Sequence, residues 1–137
     1  MSVSTIPVES FSVGPTWVHN LPVPDANIHT AVPLGAGVGV DSAGKIVSVG
    51  AGTIVTSMGR AKRINWADPQ SGRTQTFVEV ERGALVFPNS GSAPCVQANI
   101  LANVYWENDN KIATSGTLVA GKLQAINPDG TVTVWMA

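Results

Sequence analysis

Cysteine is almost absent from this chain of 137 residues: Cys95 is its single cysteine. One thiol cannot form a disulfide within the chain, so a disulfide-stapled scaffold is excluded, and the composition fits synthesis in a reducing cytoplasm. Free cysteine is among the residue types that proteins bury most often. We therefore expect Cys95 to be a small residue of the core.

Charged residues are also scarce: they make up 12% of the sequence, the net charge is −1, and 44% of the residues are hydrophobic. Binding to nucleic acid requires clustered lysine and arginine, so we expect no nucleic-acid partner. With so few charges, much of the surface must be uncharged or apolar, which suits burial against other proteins. A monomer would expose larger apolar patches than are usual, so the composition predicts an oligomer.

Long apolar runs are missing as well. No segment approaches the roughly 20 apolar residues that a membrane helix needs, so no contact with a membrane is predicted. The first basic residue is Lys45, so no charged segment precedes an apolar run as it does in a secretory signal. The length fits one domain with its own core.

Residues that bind metals or phosphates lack the spacing that such sites need. His19 and His29 lie ten positions apart in a proline-rich segment, without the helical spacing of a zinc site. The glycines at positions 35, 37 and 39 are followed by Val40 and Asp41 rather than by the lysine of a phosphate-binding loop. We predict no metal site and no cofactor.

Catalytic groups are equally isolated. No G-x-S-x-G motif occurs, and Cys95 has no signature of a nucleophile around it. Glu79 and Glu81 share one face of a predicted strand, and Glu107 and Asp109 lie two apart in a predicted turn, so we expect solvated charges rather than a catalytic pair. The sequence predicts that the protein is not an enzyme.

Turn signals between short alternating segments dominate the chain from residue 34 onward. Three stretches rich in Asn, Asp and Gly, at residues 41–44, 107–110 and 127–130, predict hairpins. Residues 131–136 alternate strictly between valine or methionine and threonine or tryptophan, as in a half-buried strand. We predict an all-β fold: a small single-domain β-sandwich or distorted barrel with at most one short helix, near residues 92–98.

The remaining segments are less regular. Residues 1–33 hold five of the nine prolines but also many large apolar residues, which predicts an extended arm docked on a surface, either its own domain's or a neighbour's. Residues 34–137 would form the β domain. Residues 58–74 look like a loop with several basic residues, and residues 77–87 like a strand that breaks at Gly83.

The order of these elements resembles a family of bacteriophage capsid cement proteins, also called head decoration proteins. The resemblance rests on Val-Tyr-Trp at 104–106, an Asn/Asp turn at 107–110, Lys-Ile-Ala-Thr at 111–114, Leu-Val-Ala-Gly-Lys-Leu at 118–123 and Thr-Val-Thr-Val at 131–134. It extends back through the strand at 77–87 and, less clearly, through residues 32–56. The first 30 residues are unmatched.

This resemblance implies a structural virion protein, made in the host cytoplasm, that binds the outer surface of a phage head. There it would stabilise contacts between major capsid proteins, its partners, as a homo-trimer. An apolar arm and a basic loop with a tryptophan are the segments expected to make these contacts. The residues that we expect in them are Phe11, Trp17, Leu21, Ile28, Arg60, Arg63 and Trp66.

A second interpretation comes from another class of protein. Four tryptophans and one tyrosine could form stacking platforms in a carbohydrate- or receptor-binding β module of a phage fibre or cell surface. Trp106 and Trp135, however, lie at strand positions that are typical of residues flanking a core. Association with DNA-filled heads would favour the first interpretation, and retention on glycans the second.

Overall fold

A computed structural model describes residues 3–4, 10–22, 32–42, 44–51, 54–66, 68–72 and 76–136. Its strands are β1 (Phe11–Pro22), β2 (Gly37–Asp41), β3 (Ile46–Ser48), β4 (Ile54–Asn65), β5 (Phe77–Phe87), β6 (Asn103–Asn108), β7 (Lys111–Ala113), β8 (Val119–Ile126) and β9 (Val132–Met136). Three single 3-10 turns lie at Val49–Ala51, Pro69–Ser71 and Gln97–Asn99. All paired strands are antiparallel and form one sheet that is not closed, which confirms the all-β prediction.

Strand β5 organises this sheet, because it has different partners along its length. On one edge it pairs with β1, and on the other its first half pairs with β4 and its second half with β9. Gly83 lies where the partner changes, with a φ of 126° that favours glycine. The expected strand break at Gly83 is therefore wrong: β5 continues through this residue.

Two separate apolar cores lie on opposite faces of β5. Val78 and Val80 belong to one core and Leu85 and Phe87 to the other, and residues of even and odd number point to opposite faces of a strand. The smaller core also contains Val32, Val38, Ile46 and Ala61. The larger core also contains Val49, Cys95, Val104, Trp106, Ile112, Ala120, Leu123, Val132, Val134 and Met136.

The turns predicted from local chemistry are present. The amide of Gly44 donates to the carbonyl of Asp41 at 3.0 Å, and the amide of Gly130 donates to the carbonyl of Asn127 at 3.0 Å. Both glycines have positive φ, at 78° and 91°. The first turn joins β2 to β3, the second joins β8 to β9, and the predicted turn at 107–110 joins β6 to β7. Cys95 is 2% exposed in the larger core, as predicted.

The loop predicted for residues 58–74 is wrong in its first half, because β4 extends to Asn65. Gly59, a residue type common in loops, instead lies where the backbone of β4 approaches the carbonyl of Glu81 too closely for a side chain. The neighbouring basic residues are cross-strand partners of acidic ones: Arg60 lies opposite Glu81, and Arg63 opposite Glu79. The loop signals were therefore features of a paired strand.

The helix predicted near residues 92–98 is also wrong, and only the 3-10 turn at Gln97–Asn99 forms there. Side chains bind the amides that would begin a helix: Ser90 Oγ accepts from the amides of Ser92 and Ala93, and Asn89 Oδ1 accepts from the amide of Cys95. Such local bonds offer the backbone an alternative to helix. They hold this segment in a series of bends.

Candidate protein-interaction surface

Strand β1 is the described part of the arm that the sequence predicted. It pairs with β5 from Phe11, opposite Val86, to Pro22, opposite Phe77. Of the two docking surfaces that the sequence left open, these residues thus lie on the chain's own sheet. The register shifts between Ser12 and Thr16, so extra residues including Pro15 bulge out. A proline fits there because an edge strand does not need all of its amides for pairing.

Four large apolar side chains of β1 are exposed: Phe11 by 51%, Val13 by 50%, Trp17 by 52% and Val18 by 44%. We call these four residues the β1 strip; Phe11, Val13 and Trp17 lie on the face of Val86 and Trp135, and Val18, which lies opposite Glu81, points to the other face of the same edge strand. No Lys, Arg, Asp or Glu occurs in β1, and among the described residues only β5 pairs with it. Exposed edge strands normally carry charges that prevent pairing with other chains. The β1 strip therefore has the character of a contact surface.

The tryptophan of this strip is held in place by a second tryptophan. Trp17 contacts Trp135 of β9 edge to face, with ring centroids 5.6 Å apart. Ala84 on β5 lies directly opposite Trp135, and Arg82 lies directly opposite Trp17, so the two rings lie over the same face of β5. Part of each indole is thereby covered, while half of Trp17 remains available to a partner.

A shallow groove of about 420 Å³ adjoins the strip. Phe11 and Val13 form one side, Val86 contributes from β5, and Thr133 from β9. The turn between β8 and β9 forms the other side, where Asp129 accepts hydrogen bonds from the hydroxyl and the amide of Thr131. Both bonds lower the pKa of Asp129, and the bond from the hydroxyl has the larger effect. The groove is thus apolar with one carboxylate at its rim.

On the opposite face of β5, an ionic cluster fixes the beginning of β1. Glu81 is only 3% exposed, and its carboxylate lies 2.9 Å from Nη1 of Arg60 and 3.7 Å from Nζ of Lys62. Arg60 also donates from Nε to Ser10 Oγ at 2.9 Å and from Nη2 to the Ser10 carbonyl at 3.0 Å. Thr16 of β1 donates to the second carboxylate oxygen of Glu81 at 3.3 Å. The expectation of a solvated Glu81 is wrong, because these partners compensate its burial.

Asp109 is a second buried carboxylate, so the prediction that it is a solvated charge is wrong. It is 1% exposed in the turn between β6 and β7. It accepts a bond from the hydroxyl of Ser48 at 2.8 Å and bonds from both the amide, at 2.8 Å, and the hydroxyl of Ser4. Asp109 therefore joins Ser4 to β3 and to the β6–β7 hairpin.

The seven residues predicted for contacts fall into different environments. Phe11 and Trp17 lie together in the β1 strip, and Trp66 is 39% exposed after β4. Arg63 is exposed and 3.6 Å from Glu79. Leu21 packs against the smaller core and Arg60 is bound to Ser10 and Glu81, so both already have partners within the chain. Ile28 lies outside the described residues.

Val13 and Val18 belong to the strip but were not predicted. Exposed positions of a strand are predicted from the alternation of apolar and polar residues, and the bulge in β1 interrupts this alternation. No periodicity in the sequence therefore marks the two valines as exposed. The absence of charge from residues 11–22 was the signal that could have identified the whole strip.

The described residues contain no group of three or more His, Cys, Asp and Glu side chains arranged to hold a metal ion. In the same part of the chain, no helix has the length and apolar character needed to cross a membrane.

Comparisons of the chain with protein-family models, with curated proteins and with solved structures found no match.

Proposed function

We propose that this protein is a structural virion protein that binds the outer surface of a bacteriophage head and stabilises contacts between major capsid proteins. The resemblance of residues 75–136 to head decoration proteins and the apolar character of the β1 strip support this function. The proposed site of action is the outside of the capsid, after synthesis in the host cytoplasm.

The observation that carries the proposal is an apolar, uncharged edge strand. Phe11, Val13, Trp17 and Val18 are about half exposed, and tryptophan is enriched among the residues that dominate binding energy in interfaces. Left uncovered, such a strand would promote aggregation through its free amides and carbonyls. In a protein that stays bound to a capsid, the capsid would cover this surface.

The strip is also fixed before binding. Arg60 binds Ser10 at one end of β1, Trp135 supports Trp17 in the middle, and Leu21 packs on the smaller core at the other end. A partner therefore meets a surface that is already ordered, and the entropy cost of ordering a loop does not reduce the affinity. Occupying many equivalent sites on the mature lattice would stabilise it by mass action.

We further propose that the protein acts as a homo-trimer, with the number of subunits taken from the resemblance. A low charge content and an exposed strip that can also contact sister subunits favour self-association. Light scattering of the purified protein measures the mass directly. A stable monomer at micromolar concentration would contradict the trimer in solution.

Co-sedimentation tests the proposal. Purified protein is mixed with DNA-filled heads and with unexpanded proheads of the phage that carries its gene, and the pellets are quantified. We expect saturable binding to the DNA-filled heads and little to the proheads, because a cement protein recognises the mature lattice. Equal recovery in pellets and in controls without heads would refute the proposal.

A further inference from the structure

A second concave surface lies where β4 and β8 approach each other, apart from the β1 strip and its groove. It is an open cleft of about 730 Å³. Ser57 of β4 donates to the carbonyl of Val119 on β8 at 2.6 Å, so the two strands are joined at this point. We call it the β4–β8 cleft, and its lining residues are Thr56, Ser57, Asn103, residues 117–122 and Trp135.

Three side chains of the lining form a row across neighbouring strands. Asn103 of β6 lies directly opposite Lys122 of β8, and Lys122 lies directly opposite Trp135 of β9. Residues opposite each other in an antiparallel pair point to the same face, with Cβ atoms about 5 Å apart. An amide, an ammonium group and an indole are therefore presented side by side, within the reach of one small ligand.

The indole in this row is a supported platform. Trp135 is half-buried, and its indole contacts Trp17. Trp17 does not line the cleft, so it supports the indole of Trp135 from outside the cleft. Asn103 and Lys122 are exposed, and neither side chain forms a hydrogen bond or ion pair with the rest of the described chain. Their polar groups are thus available to a ligand.

We propose that the β4–β8 cleft binds a saccharide that carries a carboxylate. The apolar face of a pyranose ring stacks on an indole, here Trp135, while amide and hydroxyl groups such as those of Asn103 and Thr117 exchange hydrogen bonds with the sugar hydroxyls. Among the described residues of the lining, Lys122 is the only charged one, and no Asp or Glu accompanies it there. A negatively charged sugar therefore gains a charge-assisted hydrogen bond and meets no repulsion.

The binding test uses pairs of probes that differ in charge. Sialyllactose, a galacturonate trisaccharide and a hyaluronan tetrasaccharide are titrated into the full-length protein, with lactose and maltotriose as neutral controls, up to about 10 mM, which detects even weak millimolar binding. Amide chemical shifts in NMR report both affinity and location. We expect at least one acidic probe to bind, with shifts at residues 117–122 and at Trp135, and binding that weakens with salt.

Two lysine variants locate the site. Lys122→Gln should weaken binding of the acidic probe about tenfold or more, the effect of losing one charge-assisted bond. Lys45→Gln is the matched control, since Lys45 is an exposed lysine in the β2–β3 turn and does not line the cleft, so binding should be unchanged.

Three results would overturn the proposal: no binding by any acidic probe, equal binding of the neutral probes, or an unchanged affinity of Lys122→Gln. The proposal does not depend on capsid binding, because the cleft and the β1 strip share no residue. Lys122→Gln should co-sediment with heads like the unchanged protein, so failure of one proposal leaves the other intact.

Discussion

Replacing Gly37 by alanine tests the packing of β2 against the larger core. Gly37 is buried, and a Cβ atom built there would lie 2.6 Å from Cζ2 and 2.7 Å from Cζ3 of Trp106. Carbon atoms do not approach each other this closely, so the ring or the strand must move. Trp106 is 1% exposed and packs edge to face on Phe87, with centroids 5.0 Å apart, which leaves it little freedom.

The expected cost follows from two opposing effects. Overpacking a core costs about 1–3 kcal/mol. Alanine offsets about 0.5–1 kcal/mol of this, because it restricts the unfolded chain more than glycine does and because Gly37 has no positive φ that alanine would strain. We expect a net loss of about 1–2 kcal/mol in the free energy of unfolding, or a fall in Tm of about 3–8 °C for a chain of this size.

Urea denaturation and thermal melting measure this loss. Gly91→Ala is the matched control, because nothing lies within 4 Å of a Cβ atom at that position, and it should change the stability by only a few tenths of a kcal/mol. In a Trp106→Leu background, where the obstructing ring is gone, Gly37→Ala should cost about 1 kcal/mol less than in the natural chain. If Gly37→Ala melts like Gly91→Ala, β2 does not pack on the tryptophan as described.

Three further changes test other parts of the structure. Gly130→Val should lower the stability by about 1 kcal/mol or more, because a β-branched residue resists positive φ, and an unchanged Tm would mean that the β8–β9 turn is different. Asp109→Ala should cost about 2–3 kcal/mol by urea denaturation, because the buried hydroxyl of Ser48 loses its acceptor; a loss below about 0.5 kcal/mol would contradict the burial of this carboxylate. The hydroxyl of Ser90 lowers the pKa of Glu107, so this stabilisation is present above the usual pKa of 4.5 and is lost as the pH falls through the lower value. Glu107→Gln should therefore show a weaker fall of Tm in acid than the natural chain, and an identical pH dependence would refute the assignment.

Features encoded over a few residues could be predicted from the sequence. The turn that ends at Gly130 and the alternation of Val132, Val134 and Met136 need only local chemistry, and both are present. The burial of Cys95 follows equally well from its residue type.

Features that depend on distant pairing could not be predicted in the same way. β1 pairs with a strand more than 50 residues later in the chain. Gly59 and Gly83 look like breaks between elements unless the approach of β4 to β5 is known. The burial of Glu81 also depends on this approach, because its partner Arg60 comes from β4. The sequence did hold one signal, since basic residues at 60 and 63 match acidic residues at 81 and 79 across the pair.

The contact surface was only partly predicted, because it too depends on pairing between distant segments. Phe11 and Trp17 were identified by their size and apolar character, whereas the bulge after Ser12 concealed Val13. Arg60 was predicted as a contact because it lies in a basic loop with a tryptophan, and only its bonds to Ser10 and Glu81 show that it holds β1 in place.

Binding of a strip variant to phage heads tests the central claim most directly. The double variant Phe11→Ala and Trp17→Ala removes the two largest side chains of the β1 strip, and Val96→Ala, an exposed valine outside β1, is the control. Each variant is first checked for folding by circular dichroism and then co-sedimented with DNA-filled heads over a range of concentrations. We expect the control to bind like the natural chain and the double variant, still folded, to bind about 30-fold or more weakly, as for the loss of a hot spot of about 2 kcal/mol. A folded double variant that saturates heads at the same concentration as the natural chain would contradict the claim that the β1 strip attaches this protein to a capsid.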